Sequence, residues 1–491
     1  MDAVYKELSV KTEFEWKPFL RQLLVNSIAW MFYFMFGLSL GAPTVLIPQV
    51  RKEANSTEAI NEDMASWISS VAGYMGMPWS IGLTISMYYF GRKKSYSFVA
   101  LNSVAAFVVL YCSVDATQIL ISQILQGVTA ASQTTTSVVI MTEYTSPKYR
   151  GIFSTTKTVT MFLGIWVANA LGMFFHWKNI GLLGILCSMY NFFAIFVIPE
   201  SPYWLIKQEK LGECVASHRW LKGISDTSDR ELNELMNNFD YNGNKKSKTT
   251  LDVIKKCFVS LQEPEVYKAL AVSLLVVTTY YMCGKLVCTV YSIQILRKMT
   301  DNESAAYVGM LVLDAITICG MVIGCIMSKF FGQKVLLLTS LAGGSLFLYT
   351  ISLYLFLVNL SLIFESMYIS LGLLIAFSLA ISCGTVMSLS IFGELLPLKA
   401  RGFSVCIVSI FSKFTLGSVL KLSPYLFDSF GNHGGFLFYA IFSTVLFAFM
   451  LKYLPETRNK TLHEISCGFK HKDIKELKHS EATQLVPLRK K

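Results

Sequence analysis

The sequence is short of charge. Asp, Glu, Lys and Arg together make up 15% of its 491 residues, against 53% hydrophobic residues and a mean hydropathy of +0.49. A chain of this length and apolarity cannot hide its hydrophobic surface inside its own core, which excludes an ordinary soluble protein. The eleven cysteines show no paired metal-ligand spacing and sit mostly in apolar runs, so they read as packing residues and no metal is expected. No catalytic constellation and no ion-filter motif is present, so enzyme and channel readings have nothing to stand on, and no cofactor is implied. Residues 1–20 are polar and mixed in charge, without the pattern of a cleavable leader, which leaves the first long apolar run to direct insertion.

What the chain has in quantity is long apolar runs. Runs near the roughly 20 residues a helix needs to cross a bilayer recur twelve times, at 24–48, 65–89, 96–114, 117–141, 154–175, 179–198, 267–296, 304–329, 334–357, 363–392, 403–427 and 433–454. The expected fold is an all-α membrane protein with an N-terminal segment (1–20), a six-helix half (21–198), a linker (199–262), a second six-helix half (263–455) and a tail (456–491). Lysine and arginine fall on one side: Arg92-Lys93-Lys94, Lys148 and Arg150, the stretch from Lys207 to Lys256, Lys329 and Lys334, Lys399 and Arg401, and the tail. The positive-inside rule makes that side, with both termini, cytoplasmic. The net charge of +11 is then topology rather than a nucleic-acid footprint. Asn55-Ser56-Thr57 and Asn302-Glu303-Ser304 fall outside as glycosylation sequons, whereas Asn459-Lys460-Thr461 falls inside. In the linker, Ser217–Phe239 and Thr249–Leu261 have the spacing of short amphipathic helices, with a solvated linker as the alternative.

The two halves repeat a signature. Glu143 to Arg150-Gly151 reads E-Y-T-S-P-K-Y-R-G and Glu394 to Arg401-Gly402 reads E-L-L-P-L-K-A-R-G, at a constant offset of 394 − 143 = 401 − 150 = 251. A polar signature at matching places in two hydrophobic halves marks a secondary transporter built from parallel repeats. Gly91-Arg92-Lys93-Lys94, Pro199-Glu200-Ser201-Pro202 and Pro455-Glu456-Thr457 stand at further span ends. Together these motifs resemble the sugar porter family of the major facilitator superfamily, over almost the whole chain, and Gly393 to Pro397 with Gly431 to Phe436 resemble its insect facilitated trehalose transporter branch. Arg92, Lys93, Glu143, Arg150, Glu200, Glu394, Arg401 and Glu456 are the gating candidates. In such carriers, carboxylates and arginines at cytoplasmic helix ends pair across the halves in one state and separate in the other. The alternative is that these are interfacial charges that fix topology.

At the substrate site the chain departs from that family. The resemblance implies a Gln in span 5, a Gln-Gln pair and an Asn in span 7, an Asn in span 8, and tryptophans in spans 10 and 11. This sequence has Thr158, Tyr280-Tyr281, Leu286, Thr317, Leu389 and Lys413 there. Tyr280 and Tyr281 can stack a sugar ring and offer hydroxyls, or simply pack; Tyr291 belongs to the same candidate set. The Gly-Pro-x-Pro-Trp break of span 10 is absent around Thr385–Leu389. Lys285, Asp314, Lys413 and Lys421 are new charges at membrane depth, each about 2.5 to 3.5 kcal/mol to insert at a helix centre, with a Lys285–Asp314 pair as one arrangement and snorkelling as another. Phe32–Pro48 carries no titratable carboxylate, so diffusion without proton coupling is expected, with Asp314 the remaining candidate proton site. Three readings follow: a facilitative carrier of trehalose or hexose, a carrier of another small and possibly anionic solute, and a membrane sensor that does not transport. A plasma-membrane monomer with a small-molecule solute as its partner, without nucleic acid, completes the expectation.

Overall fold

The computed structural model of the protein describes residues 16–241, 263–297, 302–364, 366–395 and 401–456. Among the described residues there is no β-strand. Nine helices of the described residues are long and apolar enough to cross a membrane. Two further spans escape that criterion: Glu62–Tyr89, which opens on two carboxylates, and the glutamine-rich fourth span, which is cut at Thr135 into Ala116–Thr134 and Thr136–Glu143. The last helix, Arg401–Tyr453, is two spans run together across Gly431, whose φ of 70° requires glycine. The architecture is the twelve-span fold expected.

Spans 1 to 6 are Trp16–Glu53, Glu62–Tyr89, Arg92–Cys112, Ala116–Glu143 with its break, Pro147–Phe174 and Lys178–Val197. Spans 8 to 10 are Glu303–Met327, Gln333–Asn359 and Met367–Leu395. Span 10 runs unbroken, as the loss of its proline pair implies. Span 7 is not the single helix predicted over 267–296. It is three pieces, Pro264–Met282, Lys285–Val290 and Ser292–Arg297, because Gly284 adopts φ +80° against the Tyr439 side chain and Tyr291 interrupts it again. The first helix begins at Trp16, inside the stretch read as N-terminal tail.

Small residues set the helix contacts, as expected where lipid gives no hydrophobic drive for helix pairing. Gly41 of span 1 faces span 5 so closely that a Cβ there would lie 3.0 Å from Ile165 O and from Ala168 Cβ. Between the halves, span 1 meets span 7, span 2 meets span 11, and span 5 meets span 8. Span 2 touches span 11 backbone to backbone, with a Cβ on Gly73 falling 2.7 Å from the Gly417 nitrogen. The face of the bundle carrying Trp16 and Glu456 is called the terminal face below, and the other the opposite face.

On the terminal face, helices Pro202–Lys207, Leu211–Lys222 and Asp226–Tyr241 dock beside the first half, around a small core of Leu205, Ile206 and Cys214. Gly223, at φ +74°, divides the amphipathic run predicted over Ser217–Phe239; the run at 249–261 lies outside the described residues. Arg21 donates to Trp220 O at 3.0 Å, Gln22 to Leu221 O at 3.3 Å, and Ser217 to Glu200 O at 2.6 Å. His218 is buried in this bundle, and desolvation, with the Lys222 ammonium nearby, pushes its pKa down to about 4. The unfolded imidazole titrates near 6.5, so the unfolded state binds more protons between those values. Docking is therefore fully supported above about pH 6.5 and weakens as pH falls toward about 4. Limited proteolysis of the linker should accelerate across that window, and His218→Asn should flatten the response.

Candidate solute site and gates

The middle of the bundle is built from side chains of both halves. Tyr280 and Tyr281 end the first piece of span 7, their rings perpendicular with centroids 4.8 Å apart. Tyr281 shares a 2.9 Å hydrogen bond with Ser412 of span 11, which ties it into packing within its own half. The Tyr280 hydroxyl is buried and has no protein partner, and the same holds for Thr158 Oγ1 on span 5. A buried hydroxyl left without a partner is unfavourable by about 1 to 3 kcal/mol. Such groups in a native core call for an explanation.

Lys413 is fully buried, and its Nζ donates across the halves to Gln133 Oε1 of span 4 at 2.7 Å. It also lies 5.0 Å from the centroid of the Phe36 ring on span 1, and its stem packs on Gly76. Tyr33 donates to Gln133 O at 2.9 Å, and its ring faces the Lys157 ammonium at 5.7 Å. Lys157, Gln133 and Asn169 are site residues that sequence reasoning passed over. Lys157 carried a usable signal, being a charge inside the apolar run of span 5, whereas Gln133 and Asn169 look like ordinary polar residues until the halves are assembled.

Lys285 and Asp314 line one small cavity between spans 7, 8 and 10. They do not form the direct ion pair that was one of the two arrangements open to them. Lys285 Nζ donates to Thr317 Oγ1 at 2.5 Å and to Ser378 Oγ at 3.1 Å, while Asp314 accepts from Asn169 Nδ2 of span 5 at 2.6 Å. The break at Gly284 places Lys285 among hydroxyls, and Asp314 faces the other half instead. Tyr291 is spent on structure, donating to Leu420 O at 2.6 Å.

On the opposite face the halves are latched. Asp63 at the start of span 2 accepts from Lys421 at 2.7 Å and from Tyr425 at 2.9 Å, and the Lys421 ammonium sits 4.3 Å from the Trp67 ring centroid. Ser66 donates to Lys421 O at 3.0 Å, and Thr44 of span 1 to Val290 O of span 7 at 2.7 Å. Lys421 therefore pairs with a carboxylate of the other half rather than only snorkelling.

On the terminal face, the described gating candidates of the first repeat pair among themselves. Arg92 grips Glu143 with Nε at 2.9 Å and Nη2 at 2.6 Å, and Ser201 Oγ also donates to Glu143. Glu200 accepts from the backbone N–H of Arg92 at 2.9 Å and of Lys93 at 3.2 Å, capping span 3, where negative charge favours a helix N-terminus. Gly91 stands there at φ +91°, and a Cβ would lie 2.5 Å from Glu200 Oε2. Lys93 Nζ donates to the last carbonyls of span 6, Phe196 O at 3.0 Å and Ile198 O at 2.9 Å. These residues come from the first half and the opening of the linker, and none from the second half. Spans 3, 4 and 6 end side by side, so the fork closes within one repeat. Glu456 stands against Gly332 in the second half as Glu200 stands against Gly91 in the first. The side chains of Arg150, Glu394 and Arg401 lie outside the described set. Asn55 is exposed on the opposite face, and Asn302 caps span 8 there by accepting from Ala305 N at 3.3 Å.

The family model described as Sugar (and other) transporter matches residues 25–469. The chain belongs to this family. Family membership makes it a multi-pass carrier and not an enzyme. Among individual relatives of this transporter, the facilitated trehalose transporter of Apis mellifera ligustica is 24% identical over 453 residues, covering 91% of this chain and 88% of that protein. That of Anopheles gambiae is 22% identical over 420 residues, 84% of this chain and 52% of the relative, so the chain spans about half that relative's length. Among solved structures, a proton:xylose symporter of the major facilitator superfamily bound to 6-bromo-6-deoxy-D-glucose superposes with a TM-score of 0.74 at 15% identity, covering 91% of this chain and 99% of that one. The xylose transporter of E. coli in a partially occluded inward-open conformation gives 0.71 at 13% identity, covering 90% and 99%. At such identities these two matches speak for the fold alone.

Proposed function

We propose that this transporter carries a saccharide across the plasma membrane by alternating access and facilitated diffusion, as a monomer, with trehalose and hexoses as the first candidates. The observation that carries this reading is the pair of buried hydroxyls without a protein partner, Tyr280 on span 7 and Thr158 on span 5. A polyol supplies the donors and acceptors they lack, and the ring of Tyr280 offers a face to a pyranose. The trehalose candidate comes from the names of the relatives. The terminal face, with its lysines and arginines, is the cytoplasmic one on this reading, and Asn55 and Asn302 are glycosylated outside. Asp314 hydrogen-bonds Asn169 across the halves, which supports a role in holding them together and leaves diffusion without proton coupling as the simplest scheme.

Saturable uptake of labelled trehalose or glucose into oocytes that display the protein, unchanged by a proton gradient, is the expected result. Absence of saturable uptake of any saccharide despite surface display would sink the proposal. Tyr280→Phe and Thr158→Val should raise the KM for the carried sugar about 3- to 10-fold, the worth of one hydrogen bond. Neither should lower thermal stability in detergent, since neither hydroxyl has a partner to lose. A stability loss without a change in KM would mark both as packing residues.

A further inference from the structure

We infer that the preferred saccharide bears one negative charge, as a sugar carboxylate does. This deepens the carrier reading and rests on it. Lys413 lies fully buried on span 11 where three spans of the first half meet it. Its contacts are the neutral oxygen of Gln133 at 2.7 Å, the Phe36 ring at 5.0 Å and the backbone of Gly76, and none of them carries a negative charge. Lys285 differs, since Asp314 shares its cavity.

An ammonium at membrane depth with no opposite charge marks a site awaiting one, because desolvated charges are retained where a partner compensates them. The contact it makes is also the one that transport has to break. Gln133 belongs to the other half, so the Lys413–Gln133 bond is a placeholder that a carboxylate oxygen can replace when the halves part. Tyr281 bonds Ser412, the residue before Lys413, and Tyr280 stacks edge-on against Tyr281. The tyrosine pair thus packs on the stretch of span 11 that carries Lys413, and the free hydroxyl of Tyr280 suits an anion that also carries hydroxyl groups. The charge left without an acidic contact is that of Lys413, and a monocarboxylate such as a hexuronate balances it.

The test uses purified full-length protein in liposomes with labelled glucuronate and labelled glucose. Glucuronate should be taken up at least about 10-fold better than glucose at equal concentration, a discrimination within reach of one buried charge contact. Its uptake should be saturable and faster under an inside-positive potential, and Lys413→Gln should erase the preference. Saturable glucose or trehalose uptake that excess glucuronate does not inhibit would overturn the inference and leave the carrier reading standing. Uptake of none of the three would overturn both. Should Lys413→Gln fail to assemble, competition and voltage dependence in the unaltered protein decide the matter.

Discussion

Arg92→Met is expected to lower the unfolding free energy by about 3 kcal/mol, the range for removing one partner of a largely buried ion pair. The Arg92 and Glu143 side chains are only 11% and 16% exposed, so solvent screens them little. Without the guanidinium, Glu143 keeps Ser201 as its donor among these contacts and remains inside the bundle as an uncompensated carboxylate. The double variant Arg92→Met/Glu143→Leu should recover most of the loss, because it removes both charges instead of stranding one. Thermal unfolding in detergent is measured on the parent, Arg92→Met, Glu143→Leu and the double variant. A double variant as unstable as the sum of the singles would mean that the two residues act separately. Because the fork lies within one half, the effect belongs to that half's integrity, and uptake per folded molecule should fall far less than stability. A gate spanning the halves would behave in the opposite way.

This distinction shows what the sequence made legible. The repeat at an offset of 251 identified two halves, and the apolar runs placed all twelve spans, because hydropathy and spacing are local properties that hydrocarbon enforces. The partners of charges were not legible. Glu143 carries the same signature as Glu394, yet its partner is Arg92, which reaches it through the approach of spans 3 and 4. Asp63 is one of several carboxylates between the first two apolar runs, and only the assembled halves bring Lys421 to it from more than 350 positions away. The breaks in span 7 were hidden for another reason. Gly284 is one glycine in a run hydrophobic enough for a continuous helix, and it takes a positive φ where Tyr439 packs against it. Tyr280 and Tyr281 share composition and depth, so only the hydrogen bond to Ser412 tells the packing tyrosine from the unsatisfied one.

The second large effect is expected at Gly73. Spans 2 and 11 cross so closely there that a Cβ would lie 2.7 Å from Gly417 N and 2.8 Å from Gly417 Cα. These are backbone atoms, which cannot swing aside as a flexible side chain would, so Gly73→Leu forces the two halves apart at that level. Each half keeps its own internal contacts, and the Arg92–Glu143 fork is untouched, so the protein should still fold and reach the membrane. What it loses is the state with the opposite face latched by Asp63, Lys421 and Tyr425. Overpacking by one side chain disfavours a packed arrangement by about 1 to 3 kcal/mol, enough to shift a two-state balance roughly 5- to 150-fold. Uptake should fall about 10-fold or more at normal surface display, since a carrier that cannot close one face cannot complete its cycle. Ser66 reports the change directly: it is 2% exposed and bonded to Lys421 O in the latched state. A cysteine at that position should therefore resist a membrane-impermeant maleimide in the parent protein and react in the Gly73→Leu background. Equal protection in both, with normal uptake, would show that alternating access does not depend on this crossing, and the pivot between the halves would have to be sought where span 5 meets span 8.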